Sequence, residues 1–309
     1  INDNVYLPSR VEAQVLAPSD FRRDALRPNW RMTSFTGITA GRHSETPDYD
    51  SVDQAQREEL PGNTIFTFPR GPLPGICLHS VFEEWPFDCT DLAALKALVQ
   101  SKLKTYAIAD SWTDIVADTV HATLQARLSP DGLKLAGLGA RQKLMEMEFT
   151  YPLHDVSVAS LQALLAAPVH RIDVLFTVAC RQLRFERIEG FMKGFIDLVF
   201  QADGRFYLVD YKSNWLGNRA EDYVPERLKQ AIAQHHYYLQ YLIYSLALHR
   251  YLASRMPHYS YERHFGGVYY LFLRGIDAAV PGNGIFFERP ENSLIRALDD
   301  LIANKEAAP

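Results

Sequence analysis

Two aspartates and a lysine in the second half of the chain have the types and the spacing that phosphodiester hydrolysis requires. Asp210 and Lys212 form an Asp-x-Lys motif in an apolar segment, and Asp197 lies in the apolar segment before it. Carboxylates hold a divalent cation, which polarises a phosphoryl oxygen and lowers the pKa of bound water. A lysine beside them can orient or deprotonate that water, or stabilise the charge that develops on the phosphate. The alternative is a salt bridge at a strand edge between Lys212 and one aspartate.

A predicted β-hairpin brings these three side chains together. Asp203-Gly204 lies between two strand-like runs, and this dipeptide favours a type I′ turn, which needs positive φ at both central residues. With that turn, Asp197 falls directly opposite Asp210, and their Cβ atoms are about 4.5–5.5 Å apart on one face. Lys212 is two residues further on and shares that face. Two carboxylates among apolar neighbours need a neutralising group, and a bridging divalent cation supplies it.

A third carboxylate comes from an earlier segment. The run LMEMEFTY (144–151) alternates apolar and polar residues, which predicts a strand with Met145, Met147 and Phe149 on one face. Glu146 and Glu148 then point together to the other face. Either glutamate can serve a metal site, and the alternative is a solvated strand face.

Four further residues are candidates for the same site. His79 lies on a predicted helix and is either a metal ligand or a structural histidine. Gln240 and Tyr244 share one face of another predicted helix, a spacing typical of a core and also compatible with contacts to DNA. Tyr211 points to the opposite side of its strand from Asp210, and we expect it to pack or to support the site.

The composition is that of an ordinary globular protein. The chain has 309 residues, of which 47% are hydrophobic and 22% charged, with a net charge of -5. This acidic balance argues against coating of DNA or RNA by bulk charge. Three cysteines without CxxC spacing give no support for a disulfide framework or a zinc site, and they predict a reducing, cytoplasmic location. No apolar run is long enough to span a membrane.

The spacing of apolar residues predicts a mostly helical front half followed by strands. The predicted elements are a short strand within 30–39, a short helix at 76–85, helices at 90–104 and 114–128, a long helix from about Pro225 to Arg255, a buried strand at 266–275 and an amphipathic helix at 293–304. Polar residues at about 41–63 predict a flexible, solvated acidic loop. Because the chain begins with Ile1 rather than Met, we expect a fragment or a processed product.

Six segments carry recognisable motifs, which are GICLHSVFE (75–83), EMEF (146–149), KGFIDLVF (193–200), YLVDYKSNWLG (207–217), YYLQYLIYSLALHRYL (237–252) and HFGGVYYLFLRG (264–275). Together they resemble the RecB-type branch of the PD-(D/E)xK nuclease superfamily, from about Trp30 to near the C-terminus. The resemblance implies an α/β fold with a restriction-endonuclease-like core, a mixed sheet flanked by helices, and a mostly helical N-terminal segment. It divides the chain into an N-terminal segment at 1–63 and a nuclease domain at 64–309.

The same resemblance implies a role for each candidate residue. The metal-binding residues correspond to His79, Asp197 and Asp210, and the catalytic lysine corresponds to Lys212. In the family an upstream acidic residue lies three positions before an aromatic or apolar residue, which favours Glu146 over Glu148. The remaining family positions, for DNA contact or support of the site, are the tyrosine of the DYK motif and the QxxxY helix motif, at Tyr211, Gln240 and Tyr244.

The resemblance also implies a cofactor and partners. It implies Mg²⁺-dependent hydrolysis of single- and double-stranded DNA ends in double-strand-break processing and recombinational repair, assembly with RecC and RecD subunits, and contact with RecA. The sequence has no GxxxxGK[ST] motif, so we expect no ATP-driven motor in this chain. Two alternatives stay open, a non-catalytic docking domain for RecA, RecC or DNA, and a metal-dependent phosphohydrolase acting on nucleotides.

Overall fold

A mixed β-sheet of six strands runs through the centre of the structure, a computed structural model that describes residues 30–39, 62–277 and 280–303. The strands are β1 (Trp30–Thr33), β2 (Lys143–Val156), β3 (Ile188–Ala202), β4 (Arg205–Lys212), β5 (Phe265–Phe272) and β6 (Ile285–Glu288). The predicted acidic loop at about 41–63 lies almost entirely outside the described residues.

Helices cover both faces of this sheet, which confirms the predicted α/β class. They are α1 (Phe35–Thr39), α2 (Pro72–Glu84), α3 (Leu92–Thr105), α4 (Thr113–Gln125), α5 (Val158–Ala166), α6 (Val174–Cys180), α7 (Pro225–Gln234), α8 (Tyr237–Arg255), α9 (Tyr261–His264) and α10 (Asn292–Ala303). Among these helices, none combines the length and the hydrophobicity that a membrane crossing needs.

The long strand β3 organises the sheet. Its full length pairs antiparallel with β2, while its other edge pairs first with β1 in parallel and then with β4 in antiparallel orientation. The strand β4 pairs in parallel with β5, and β5 pairs antiparallel with β6. β1, which precedes residue 64, therefore belongs to the same sheet as the five strands that follow residue 64.

Each face of the sheet buries its own hydrophobic core. One core packs the sheet against α2, α3 and α4, the helical front layer, and the other packs it against α1, α5–α8 and α10. Burial of apolar side chains in two such layers is the main favourable contribution to folding. The alternation of side chains along β4 and β5 sends neighbouring residues to different cores.

The predicted long helix from Pro225 to Arg255 is wrong, because the structure has two helices there. α7 ends at Gln234, and His236 adopts the left-handed conformation with φ of 57°. Pro225 stands in the first turn of α7, where its missing N–H costs nothing. The break lets α8 start at Tyr237 in a new direction, against β5.

Three other element boundaries differ from the predictions. Only the first four residues of the 30–39 segment form a strand, and α1 follows it. The helix α2 starts at Pro72, earlier than predicted, because proline fits a first helical turn. The strand β5 ends at Phe272, and a 3₁₀ turn at Leu273–Gly275 follows. The helices α3, α4 and α10 lie where the sequence predicted them.

Candidate active site

The predicted hairpin between β3 and β4 is confirmed. Asp203 and Gly204 have φ of 48° and 74°, the positive values that a type I′ turn requires at its two central residues. The antiparallel ladder runs in the predicted register as far as the pair of Leu198 and Val209. The predicted pairing is therefore correct as far as the pair next to the two aspartates.

The strands β3 and β4 part at the level of Asp197 and Asp210, and we call this point the fork. The ladder stops one pair before these residues. The backbone N–H of Tyr211 instead donates to the carboxylate of Asp197, with 2.8 Å between N and Oδ2. Because the pairing of β1 with β3 ends at Met192, Asp197 lies between the ends of β1 and β4 along one edge of β3.

The helix α2 brings His79 to the fork. At Gly75, an added Cβ would lie 3.1 Å from Ser213 Oγ, so a residue without a side chain lets α2 lie close to the segment after β4. One turn later, His79 Nδ1 lies 3.4 Å from Asp197 Oδ2. The His79 side chain is buried, and its imidazole therefore meets the carboxylate in a protected position.

Tyr211 fastens the same helix to the sheet. Its ring stacks on Phe82 with 4.2 Å between centroids, and the ring of His79 meets it edge-on at 5.9 Å. Burial raises the pKa of the Tyr211 hydroxyl well above its ordinary value. Tyr211 thus holds α2 against β4 and orients the His79 ring.

Asp210 and Lys212 form a buried ion pair on the face of β4 that points to α8. The distance from Lys212 Nζ to Asp210 Oδ1 is 2.8 Å, and the residues are 2% and 4% exposed. Burial raises the pKa of Asp210 to about 7, the Lys212 ammonium opposes the rise, and Asp197 adds to it. Since β4 lies between β3 and β5, this pair differs from the surface salt bridge at a strand edge that the sequence left as an alternative.

Side chains from α8 and β5 surround the Lys212 ammonium. Its Nζ lies 3.1 Å from Gln240 Oε1 and 3.9 Å from the centre of the Tyr237 ring. Gln240 Oε1 also accepts a hydrogen bond of 2.9 Å from the Tyr270 hydroxyl, and Gln240 Nε2 donates to the Tyr244 hydroxyl at 3.1 Å. Gln240 and Tyr244 are buried. Gln240 contacts the lysine directly, and Tyr244 holds Gln240 in place.

The strands β2 and β3 change faces together beside the fork. Met145 and Leu198 pack in the core under α2–α4, whereas Met147 and Ile196 pack in the other core. The reason is the backbone of Glu146, which has a positive φ of 49° and breaks the alternation of the strand. The prediction that Met145, Met147 and Phe149 share one face is therefore wrong for Met145.

Glu146 faces the fork. The pairs on either side of it place Glu146 opposite Asp197. Burial raises the pKa of Glu146 to about 8, and the carboxylates of Asp197, Glu83 and Asp210 add to the rise. A partly buried carboxylate thus joins the two aspartates in one region of negative charge.

Unlike Glu146, Glu148 does not face the fork. This side chain is exposed, and its Oε1 lies 3.0 Å from Lys193 Nζ. The prediction that Glu146 and Glu148 point the same way is wrong, because the positive φ at Glu146 changes the direction of the side chains. Of the two glutamates, only Glu146 interacts with the aspartates.

Sequence reasoning did not single out Tyr270 or Arg274. Tyr270 stands beside Asp210 in the parallel pairing of β4 with β5. Arg274 is 2% exposed and donates from Nε to the Ser213 carbonyl at 2.7 Å. Arg274 is the one charged residue at the end of an apolar, aromatic-rich strand, which is a signal, whereas Tyr270 is one of several aromatic residues there. Only the strand order shows that both lie near Lys212.

The residues at the fork have the chemistry of a divalent-cation site. They bring carboxylate oxygens and one imidazole nitrogen together, and burial among like charges raises the pKa of two of the carboxylates. A divalent cation relieves such an excess of negative charge. Within 30–39, 62–277 and 280–303, no three His, Cys, Asp or Glu side chains already form a complete metal cluster.

Three relatives are similar to most of this chain. The "RecBCD enzyme subunit RecB" of Escherichia coli (strain K12) is 41% identical over 281 residues, which is 89% of this chain and 23% of the relative. The Haemophilus influenzae RecB subunit is 37% identical over 296 residues, covering 88% and 24%. The Mycobacterium tuberculosis (strain ATCC 25618 / H37Rv) RecB subunit is 33% identical over 312 residues, covering 88% and 28%. The chain spans about a quarter of the length of these relatives.

A family model identifies the superfamily of the chain. The model described as "PD-(D/E)XK nuclease superfamily" matches residues 78–301. This range is more than half of the chain and contains every candidate residue from His79 to Tyr244. Nucleases of this superfamily generally use divalent metal ions. The chain belongs to the PD-(D/E)XK nuclease superfamily.

Proposed function

We propose that this chain is the Mg²⁺-dependent DNA nuclease domain of a RecBCD-type helicase-nuclease. The observation that carries the proposal is the meeting of Asp197, Asp210 and Lys212 at the fork, with His79 brought in from α2. The three charged residues come from the two strands of one hairpin and the histidine from the opposite layer. Such a constellation suits metal-assisted hydrolysis of a phosphodiester bond.

The roles of the side chains follow from their positions. Asp197, Asp210 and His79 would hold Mg²⁺, with Glu146 as a further ligand or as the partner of a metal-bound water. When bound, the ion polarises the phosphoryl oxygen and supplies an activated water. Lys212 orients the attacking water and stabilises the negative charge that develops on the phosphate.

The surroundings of Lys212 support this role. A side chain with many rotamers is held by Asp210, Gln240 and the ring of Tyr237. Fixing the ammonium in advance removes an entropic cost from the chemical step. Gln240, Tyr244 and Tyr211 thus act by positioning, since all three are buried behind the reacting groups.

The finer parts of the proposal rest on the relatives. Their printed name, "RecBCD enzyme subunit RecB", supports a RecBCD-type assembly, for which we propose RecC and RecD as partners. DNA ends as the substrate and a role in double-strand-break repair belong to the same proposal. We include contact with RecA and a cytoplasmic location in the same proposal. A motor on the same or another polypeptide would deliver the strand, which is compatible with the net charge of -5.

The test is digestion of linear single-stranded DNA by the purified chain, with Mg²⁺ and with EDTA. Asp210→Ala is compared with Glu148→Ala, which removes an exposed carboxylate on a neighbouring strand. We expect Mg²⁺-dependent degradation that the Asp210 variant loses and the Glu148 variant keeps. Thermal unfolding and far-UV circular dichroism of both variants check that they are folded.

The alternatives predict other results. A folded chain that binds Mg²⁺ and DNA but leaves the DNA intact, even when RecC and RecD are added, would overturn the proposal in favour of a docking domain. Preferred hydrolysis of mononucleotide esters over DNA would overturn it in favour of a nucleotide phosphohydrolase. Cleavage that persists in Asp210→Ala would remove the fork from the mechanism.

A further inference from the structure

A cavity of about 120 Å³ lies away from the residues of the fork, on the α8 side of the sheet. Its walls come from the turn at Pro168–His170, the start of α6, the middle of α8 and the chain just after β6. Its lining includes His170, Asp173, Phe176, Tyr241, Glu288 and Glu291. None of them has a role in the proposed nuclease reaction.

His170 contributes a buried nitrogen without a hydrogen-bond partner to the lining of the cavity. This residue is only 8% exposed, and its Nδ1 has no hydrogen-bond partner among the described residues. A buried polar atom without a partner costs about 1–3 kcal/mol and is rare in native proteins. A ligand with a polar group would satisfy it.

The carboxylates of the wall indicate a cationic ligand. Asp173 is engaged by Lys229, with 2.8 Å between Oδ2 and Nζ. Glu288 is partly buried and Glu291 is exposed, and neither forms an ion pair with any residue that the structure describes. Burial raises the pKa of Glu288; the backbone N–H of Arg289 and the Lys229 ammonium oppose the rise, and Asp173 and Glu291 add to it. A positive group in the cavity would stabilise these carboxylates.

The guanidinium groups of the two arginines that line the cavity do not pair with Glu288 or Glu291. Arg289 donates from Nε to the Phe265 carbonyl at 3.1 Å and from a terminal nitrogen to the Glu262 carbonyl at 3.0 Å. Its guanidinium is therefore committed to the neighbouring segment. Arg171 is exposed, so water screens its charge.

The aromatic walls and the volume narrow the ligand to a planar cation. Phe176 and Tyr241 line the cavity with ring centroids 6.5 Å apart and planes at 71°. A cavity of ~150 Å³ accommodates benzene, so one of this size takes a guanidinium group. Guanidinium stacks on aromatic faces and pairs with two carboxylate oxygens at once, which an ammonium cannot do.

The outer face of α6 indicates that the guanidinium belongs to a protein. Val174, Leu175 and Val178 are 73%, 44% and 49% exposed, and Val169 in the preceding turn is 70% exposed. Four large apolar side chains thus lie on the elements that wall the cavity. Exposed apolar side chains grouped in this way are typical of surfaces that contact other proteins.

We propose that this cavity binds an arginine side chain of a partner protein, and that the exposed face of α6 packs against apolar residues next to that arginine. The guanidinium lies against the aromatic wall, pairs with the partly buried Glu288 and with Glu291 at the exposed side, and donates to His170 Nδ1. Charge complementarity and the adjoining apolar surface together select an arginine flanked by apolar residues. The site is independent of the proposed nuclease activity.

The experiment is an NMR titration of the isotope-labelled chain with acetyl-arginine-amide, acetyl-citrulline-amide and acetyl-Val-Arg-Val-amide. Citrulline has nearly the shape of arginine without its charge. We expect saturable shifts at 168–178 and 288–291 and in the His170 ring with the arginine probe, and binding at least about tenfold weaker with citrulline, the loss of one charged pair. The Val-Arg-Val probe should bind more tightly than the single residue.

Two variants separate the parts of the site. Glu288→Gln should weaken both arginine probes. The double variant Val174→Ser, Val178→Ser should remove only the advantage of the Val-Arg-Val probe, since it leaves the cavity intact. Thermal unfolding shows whether each variant is folded. Equal binding of arginine and citrulline, shifts confined to other regions, or no shifts with any probe would overturn the proposal.

Discussion

Lys212 Nζ lies 2.8 Å from Asp210 Oδ1 in the interior of the molecule, with both residues at least 96% shielded from water. Taking two charges out of water costs about as much as their attraction returns, so such a pair contributes little to stability. An apolar pair of similar size would fit the centre of a sheet at no such cost. The pair is therefore best explained by chemistry at the fork, and its energetics can be measured.

Removing only the lysine should destabilise the metal-free protein. In Lys212→Met, Asp210 is left as a buried carboxylate without its cation, and we expect a loss of about 3–5 kcal/mol in the free energy of unfolding at pH 8. The loss should be smaller at pH 5, where Asp210, with a pKa of about 7 even beside the lysine, is protonated. Urea denaturation in EDTA measures both values. The double variant Asp210→Asn, Lys212→Met should recover most of the loss, and failure to do so would contradict this account of the pair.

The metal-free protein should become less stable as the pH rises from about 5 to 8. Glu146 has a folded-state pKa of about 8, above the ordinary value of 4.5, so the folded state keeps a proton that the unfolded state has released. This contribution is complete below the unfolded pKa and disappears as the pH passes the folded one. Glu146→Gln should flatten the decline in urea denaturation carried out in EDTA. Glu148→Gln is the control and should leave the slope unchanged, because Glu148 is exposed.

The same two variants should differ in DNA cleavage. Loss of a group that supports a metal ion typically costs about 10–100-fold in affinity or activity, and we expect a loss of this size for Glu146→Gln. Glu148→Gln should retain activity, since Glu148 is paired with Lys193 at the surface. Cleavage rates over a range of Mg²⁺ concentrations separate weaker metal binding from a slower chemical step. A larger defect in the Glu148 variant would reverse the assignment.

Features that depend on local sequence were predictable at this site. The Asp203-Gly204 turn fixes the register of the hairpin, and the register fixes the positions of Asp197 and Asp210. Both follow from backbone conformations available to a dipeptide. The apolar spacing of α3, α4 and α10 is equally local, because one face of each helix must be buried.

Features that depend on tertiary structure were not predictable. The left-handed conformation of Glu146 and of His236 is unfavourable for residues other than glycine, and packing must maintain it. At Glu146 this conformation changes which face of the sheet the side chains of β2 point to. At His236 it separates α7 from α8. Tyr270 reaches Gln240 only because β4 and β5 pair in parallel across a long connection, and nothing in the local sequence determines that pairing.

Removing the amide that holds Lys212 should slow cleavage without preventing metal binding. Gln240→Leu eliminates the acceptor 3.1 Å from Lys212 Nζ while keeping a side chain of similar size, and we expect cleavage to slow by about 10–100-fold as positioning is lost. Tyr244→Phe is the milder comparison, for which we expect a smaller loss, since it removes a hydroxyl that accepts from Gln240 and leaves the acceptor for Lys212 in place. Single-turnover cleavage measures the rate of the chemical step, and Mg²⁺ titration by calorimetry shows whether metal binding has changed. An unchanged rate in the leucine variant would show that Asp210 and Tyr237 are enough to hold the lysine.

Arg274 should determine the stability of the region that joins α2 to the sheet. Its guanidinium donates to the carbonyls of Ile65, Phe68 and Pro69 at 2.7–2.9 Å, and to that of Ser213 next to Lys212. Arg274→Met would leave buried carbonyl groups without donors, at about 1–3 kcal/mol for each group that water cannot reach.

We therefore expect Arg274→Met to lower the free energy of unfolding by at least about 3 kcal/mol. Arg296→Met is the control, because Arg296 is exposed on α10 and its loss should stay within about 0.5 kcal/mol. Urea denaturation measures both variants. If the Arg274 variant unfolds like the control, the segment before α2 is held by its apolar contacts. Because that segment leads into the helix that carries His79, a true loss should also weaken Mg²⁺ binding in the variant under conditions where it is still folded.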